Sequence, residues 1–177
     1  MTFRNLALCL TLIAFAFAAT PAKAEQTIAV VDIAKIMKEA KAANSVKDQV
    51  EAKQKSYQAE ANKKEKELQD ANQELAKQRS ILSQEAFEDK LIEFRKTVST
   101  AQREDQKKRI DLNKAQAQAV DTIQNTVGEI VTEIAKEKSI SVVMPNIPLL
   151  YYKPEMDITA EVLGRLDKKL PKVTVNF

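Results

Sequence analysis

Two ladders of regularly spaced positions run through the middle of the chain and predict a coiled coil. Within each ladder the steps alternate between four and three residues. A narrow seam with this period is typical of coiled coils, whereas a globular core helix has a wider apolar face. The surrounding residues are mostly Lys, Glu, Gln and Ala, which favour helices. The first ladder consists of Tyr57, Ala61, Lys64, Leu68, Ala71, Leu75, Gln78 and Leu82. The second consists of Phe87, Leu91, Phe94, Val98, Ala101, Asp105, Lys108, Leu112, Ala115 and Ala119.

The segment between the ladders predicts that the chain reverses there. Ser83 is a suitable cap for a new helix. A reversal near residues 83–85 brings the ladders together in antiparallel register and sets Lys64 against Asp105, which explains why each charge is tolerated in the seam. The alternative is one continuous rod without a reversal. That arrangement leaves the two opposite charges without a partner in the same chain.

The ladders define a helical arm over residues 45–138 that projects from a small body. Ser45 is placed to cap the first helix, with Asp48 three residues later in an arrangement like a capping box. Large aliphatic residues become denser near the end of the second helix, where we expect the arm to pack on the body. These residues are Val120, Ile123, Val127, Ile130, Val131 and Ile134.

The body, residues 25–44 and 139–177, contains the β-structure. Short apolar or β-branched runs predict strands at residues 27–31, 140–144 and 149–152. Asp32 opens a short helix after the first run, and Asp157 is expected to cap a closing amphipathic helix. The apolar positions of that closing helix are Ile158, Val162 and Leu166. The fold class is therefore mainly α with a small β part, a long antiparallel coiled-coil hairpin on a β-containing body.

Three short strands are too few to close a sheet, so an open edge would remain in a single chain. A body of this size also has a small core. Both considerations favour an oligomer in which subunits share their strands. The candidate interface residues are Ile28, Val30, Ile140, Val142 and Leu149.

The beginning of the chain predicts a cleaved signal peptide over residues 1–24. Arg4 precedes an uncharged apolar run of about fourteen residues, and a small-residue site ends at Ala24. A membrane anchor is the rival interpretation, but spanning a bilayer takes roughly 20 residues. Cleavage would remove Cys9, the only cysteine, and would leave 26 basic against 25 acidic residues. We expect a secreted protein whose nearly neutral charge gives no strong electrostatic steering of binding partners.

The residue inventory argues against an enzyme. Histidine is absent from the sequence, and the two glycines, Gly128 and Gly164, cannot form a phosphate-binding loop. Residues 45–138 contain 18 basic and 18 acidic residues, a balance that fits a solvated helix surface better than a nucleic-acid interface. The narrow seam also differs from the wide apolar face of a membrane-surface helix. We expect no catalytic residue, cofactor or metal, and no nucleic-acid partner.

Four segments resemble the Skp/OmpH family of periplasmic chaperones. They are Thr27–Asp32, Ile81–Phe87 at the tip, Ile140–Val143 and, most specifically, Asp157–Leu163. Their order and spacing agree with the family over nearly all of the chain after the predicted signal peptide. The resemblance implies a homotrimer with a small β-barrel-like body and three helical arms around a cavity. It also implies a chaperone that holds unfolded outer-membrane proteins without ATP.

The resemblance leaves the client contacts to be argued from this chain's residues. The candidates near the tip are Ile81, Leu82, Phe87 and Leu91. The last three could simply close the hairpin, whereas Ile81 lies off the ladder. Because the charge is nearly balanced, we expect at most a weak association with the membrane surface or lipopolysaccharide. A structural or adaptor coiled coil that binds folded envelope partners remains the competing hypothesis.

Overall fold

The computed structural model describes residues 27–147 and 149–177. The predicted signal peptide, residues 1–24, and Cys9 within it lie outside the described residues. The described chain contains four helices and two short strands. In chain order they are β1 (Ile28–Val31), α1 (Ile33–Glu39), α2 (Lys41–Gln78), α3 (Gln84–Glu137), β2 (Val142–Pro145) and α4 (Thr159–Lys169), with a short 3-10 helix (Pro154–Met156) before α4.

The long helices α2 and α3 form an antiparallel hairpin, and the predicted fold class is confirmed. At ~1.5 Å per residue, the 38 residues of α2 extend about 57 Å and the 54 residues of α3 about 81 Å. The reversal occupies residues 79–83, slightly before the predicted position. Ser83 caps α3 as predicted, because its hydroxyl accepts a hydrogen bond of 3.3 Å from the Ala86 amide.

The start of α2 differs from the prediction that Ser45 caps the first arm helix. The helix already begins at Lys41, and Ser45 lies inside it. The cap residue Ala40 supplies no side-chain bond; instead, the Lys41 amide donates to Asp167 Oδ1 of α4 at 2.9 Å. A carboxylate that is distant in sequence therefore satisfies an amide at the start of α2, where a helix has free N–H donors.

The sheet has two parallel strands, with Ile28 beside Val142 and Val31 beside Pro145. The third predicted strand, residues 149–152, is wrong, since none of these residues is in a strand. The other edge of β1 is taken by the chain just before α4. Val30 forms a parallel bridge with Asp157, and the Val30 carbonyl accepts from the Ile158 amide at 2.9 Å.

The body and the adjoining end of the arm share one continuous core. One face of β1 packs with α1, the start of α2, the end of α3 and α4. The predicted apolar positions of α4 are buried, although its cap residue is Ile158 and the Asp157 carboxylate accepts from the Thr159 amide at 2.8 Å. A single chain thus supplies more core than its short strands suggested. The fully buried large side chains are Val30, Ile36, Ile123, Ile130, Ile134, Val162 and Leu166.

Candidate functional site

The seam between α2 and α3 follows the two predicted ladders. Their side chains are half-buried or buried with one exception, Ala71, which is exposed. Leu75 and Phe94 line the same cleft, as expected for the predicted register. Only a thin line of contacts therefore holds the two helices of the arm together, and the rest of each helix faces solvent.

The predicted pairing of Lys64 with Asp105 is wrong. Both residues line one small cleft between the helices, so the register agrees with the prediction, but each charge has a partner on its own helix. Lys64 Nζ lies 3.3 Å from Glu67 Oε2, and Asp105 Oδ2 lies 2.9 Å from Arg109 Nε. Partners three or four residues away are within easy reach on a helix surface.

The ion pair that does cross the arm joins Lys108 to Glu60. Lys108 Nζ donates to Glu60 Oε2 at 2.6 Å. This bond lowers the pKa of the Glu60 carboxyl and raises the pKa of the Lys108 ammonium. Since Glu60 is exposed and Lys108 is only half-buried, the pair should contribute little to stability.

The tip presents one large apolar side chain to solvent. Ile81 lies in the turn and is 77% exposed. Leu82, Phe87 and Leu91 are half-buried at the end of the seam. Of the four predicted client contacts, Ile81 is therefore exposed, whereas the other three side chains also pack in the seam that closes the hairpin.

Two further isoleucines on α3 were missed by the sequence reasoning. Ile92 is 63% exposed and Ile110 is 57% exposed. Neither belongs to the second ladder, and that is the signal which could have found them. A large apolar residue off the seam of a coiled coil has no helix to pack against. Together with Ile81, they are the large apolar side chains exposed along the described arm.

Of the five predicted interface residues, two are exposed, two are half-buried and one is buried. Ile28 and Val142 are neighbours in the sheet and are both exposed. Leu149 is half-buried, and Ile140 packs against the core. Val30 is only 1% exposed because the chain itself covers it, so its side chain offers no surface to a second copy.

Further exposed apolar residues lie on or next to the same strand. Met144 shares the Val142 face of β2, since alternate residues of a strand point the same way. Ile147, Leu150 and Tyr151 follow in the next segment and are all exposed. We call this set the sheet patch: Ile28, Val142, Met144, Ile147, Leu150 and Tyr151. β2 is also an edge strand within the described residues, with backbone groups available for another strand.

No three acidic side chains in residues 27–147 and 149–177 are grouped closely enough to hold a metal ion. The cleft beside Tyr57, about 270 Å³, includes Asp105, but Arg109 already neutralises that carboxylate. Over the same part of the chain, no helix combines the length and apolar character that crossing a bilayer requires.

Comparison with known proteins gives a family and a fold. Residues 27–166 match the family model described as outer membrane protein (OmpH-like). The curated proteins give no significant match. A crystal structure of a putative outer membrane chaperone (OmpH-like) from Caulobacter crescentus CB15 is similar, with a TM-score of 0.77 and 16% sequence identity. The similarity covers 83% of this chain and 87% of that one, so the two share a fold.

Proposed function

Since this chain belongs to the OmpH-like family of outer membrane proteins, we propose that it is a periplasmic chaperone that holds unfolded outer-membrane proteins and prevents their aggregation in transit. It uses no ATP. The observation that carries the proposal is the long hairpin of α2 and α3, which is anchored in a packed body and exposed on nearly every other side. A helix pair of this length exposes a large surface and makes few contacts within its own chain, which favours a role in binding another chain.

The construction of the arm suits clients that have no fixed shape. Its seam is narrow and includes small or polar residues such as Ala61, Gln78 and Ala101, so it should bend more easily than a leucine-rich coiled coil. Ile81, Ile92 and Ile110 offer isolated apolar contacts spread along the arm. Several weak contacts together can hold a chain and still release it without fuel.

The sheet patch supports assembly into a homo-oligomer, and we propose a trimer. Exposed apolar residues beside an open strand edge are unfavourable in a lone chain, and a second copy of the same edge can cover them. Three arms carried by one shared body would surround a common space for the client.

The assembly is tested by the mass in solution of two charge variants. Val142→Lys places an ammonium in the sheet patch and should yield monomers. Ile92→Lys introduces the same charge at an exposed isoleucine of the arm and should leave the oligomer unchanged. A Val142→Lys protein that assembles like the wild type would contradict the role of the patch.

The holding activity is tested by light scattering of an unfolded outer-membrane protein diluted out of denaturant. We expect near-stoichiometric amounts of the purified chain to suppress the scattering. A triple variant, Ile81→Asn, Ile92→Asn and Ile110→Asn, should suppress it less, while a change at one exposed polar residue, Gln102→Asn, should not alter the suppression. Unchanged scattering at an excess of wild-type chain would rule out the proposal.

Tight binding to one native envelope protein, with no binding to unfolded chains, would instead favour an adaptor coiled coil.

A further inference from the structure

The segment after α4, residues 171–177, packs on the base of the arm. It lies beyond residue 166, where the match to the family model ends. Burial alternates along it: Val173 and Val175 are buried, whereas Thr174 and Asn176 are exposed. This alternation is that of a strand with one face covered, although no neighbouring strand pairs with it among the described residues.

Gln49 of α2 takes the place of that missing strand. Its Nε2 donates to the Val173 carbonyl at 2.7 Å, and its Oε1 accepts from the Val175 amide at 3.1 Å. The same Nε2 lies 2.9 Å from the carbonyl oxygen of Ser45, which fixes the orientation of the side-chain amide. One glutamine thus binds the backbone on both sides of Thr174, and the two valines fill the core beside it.

One turn further along α2, the contacts continue toward the arm. The Lys53 ammonium lies 5.5 Å from the centre of the Phe177 ring and 4.8 Å from the centre of the Tyr57 ring. From α3, the Lys108 ammonium lies 5.4 Å from the same Tyr57 ring. Lys108 also bonds Glu60, so a row of cation–π and ion-pair contacts connects residues 171–177 to the pair that crosses the arm.

We propose that residues 171–177 are a strap that holds the base of the arm rigidly against the body. The arm then bends only beyond the level of Glu60 and Lys108. The part of α2 that is held in this way, residues 41–60, is about 30 Å long at ~1.5 Å per residue. On the body side of that level, the core, Gln49 and the strap hold the helices in place. Toward the tip, only the narrow seam holds them together.

The two arrangements, with and without a strap, differ in where amide exchange becomes fast along the arm. In the wild-type chain, hydrogen–deuterium exchange should be slow in α2 up to about Glu60 and faster beyond it. Replacing residues 171–177 with a glycine–serine segment of equal length should move this boundary toward the body. Amides near Gln49 and Lys53 should then exchange more than tenfold faster, since the variant loses both hydrogen bonds and the valine contacts.

A second variant keeps the test decisive if the replacement disturbs the whole body. Gln49→Met retains the size of the side chain but removes both bonds to the strap, and it should speed exchange between residues 45 and 60 roughly tenfold, the factor for about one net hydrogen bond. Exchange at Ile130 and Ile134, deep in the core, should be unchanged. The control Gln102→Met, at an exposed position of α3, should leave the boundary in place. Exchange in residues 45–60 of Gln49→Met that equals the control's would overturn the proposal.

Discussion

The root of the arm is the end that packs on the body, and its outer part lies beyond Glu60 and Lys108. Both parts are made of the same two helices, yet they bury their seams differently. At the root, Ile123, Ile130 and Ile134 of α3 are fully enclosed, because β1, α1 and α4 pack around them. In the outer part, Leu75 is the one buried seam residue, and the others are half-buried except Ala71, which is exposed. Two packed helices can bury only one line of side chains, whereas further elements packed against them enclose these side chains in a core. Stability is therefore concentrated at the root, and the outer arm is left adaptable.

The largest effect in this comparison should come from a cavity at the root. Ile134→Ala removes a fully buried side chain from the core, and we expect a loss of about 2–5 kcal/mol in the free energy of unfolding. Ile92→Ala is the matched control, since Ile92 is mostly in solvent and should cost little. Urea denaturation of both variants provides the measurement. Equal losses would mean that the root is no better packed than the arm surface.

A smaller effect is expected at the best-packed position of the outer arm. Leu75→Ala should cost about 1–2 kcal/mol, less than typical core leucine truncations, because a two-helix seam encloses the side chain on fewer sides. Hydrogen exchange should show the loss in the outer arm and not in α4. If the amides of α4 responded as strongly, the two regions would form one cooperative unit.

The ion pairs that attach α4 to the root should give a modest pH dependence. The pKa of Glu161 is lowered by hydrogen bonds from Lys138 and Arg165, and the pKa of Glu137 is lowered by Arg165. A carboxyl group with a lowered folded-state pKa stabilises the fold above its unfolded pKa, ~4.3, and loses this contribution as the pH falls through the folded value.

Thermal melts should therefore show a decline in stability below about pH 4.3 that is steeper for the wild type than for Arg165→Gln. Arg95→Gln, a change of the same type at an exposed position of the arm, should retain the wild-type slope. Identical pH profiles for the wild type and Arg165→Gln would show that these bonds do not stabilise the attachment.

The smallest effect should come from the pair that crosses the arm. Glu60→Gln removes its charge, but Glu60 is exposed and Lys108 is only half-buried, so we expect no resolvable change in the thermal midpoint. Local hydrogen exchange near Tyr57 should nevertheless rise, since the variant loses a charged contact between α2 and α3. A clear drop in the midpoint would show that the outer arm depends on polar contacts more than on its seam.

Periodicity in the sequence was sufficient to predict the regular parts of this fold. The two ladders mark the seam because a coiled coil repeats the same environment every seven residues, and β1, the Ser83 cap and the buried face of α4 are likewise local signals. Ile81 could be singled out by the same logic, since a large apolar residue off the ladder has no seam to join.

Two of the errors arose where distant parts of the chain replace local signals, and the third arose where local ion pairs replace a distant one. The start of α2 is capped by Asp167, which no pattern near Ser45 reveals. Residues 149–152 have strand-forming residues, but Asp157 and Ile158 occupy the edge of β1 instead. For Lys64 and Asp105, the register was right and the partners were wrong, because a helix offers each side chain charges within one turn.

The most direct test of the proposed function is the mass of the purified protein in solution, with and without an unfolded outer-membrane protein. We predict that the protein alone has the mass of a small homo-oligomer, three copies in the proposed assembly. With the client present, the mass should increase by that of a bound client chain, and the complex should remain soluble. A mass that stays the same in an excess of unfolded outer-membrane protein would contradict the role of the arms in holding such chains.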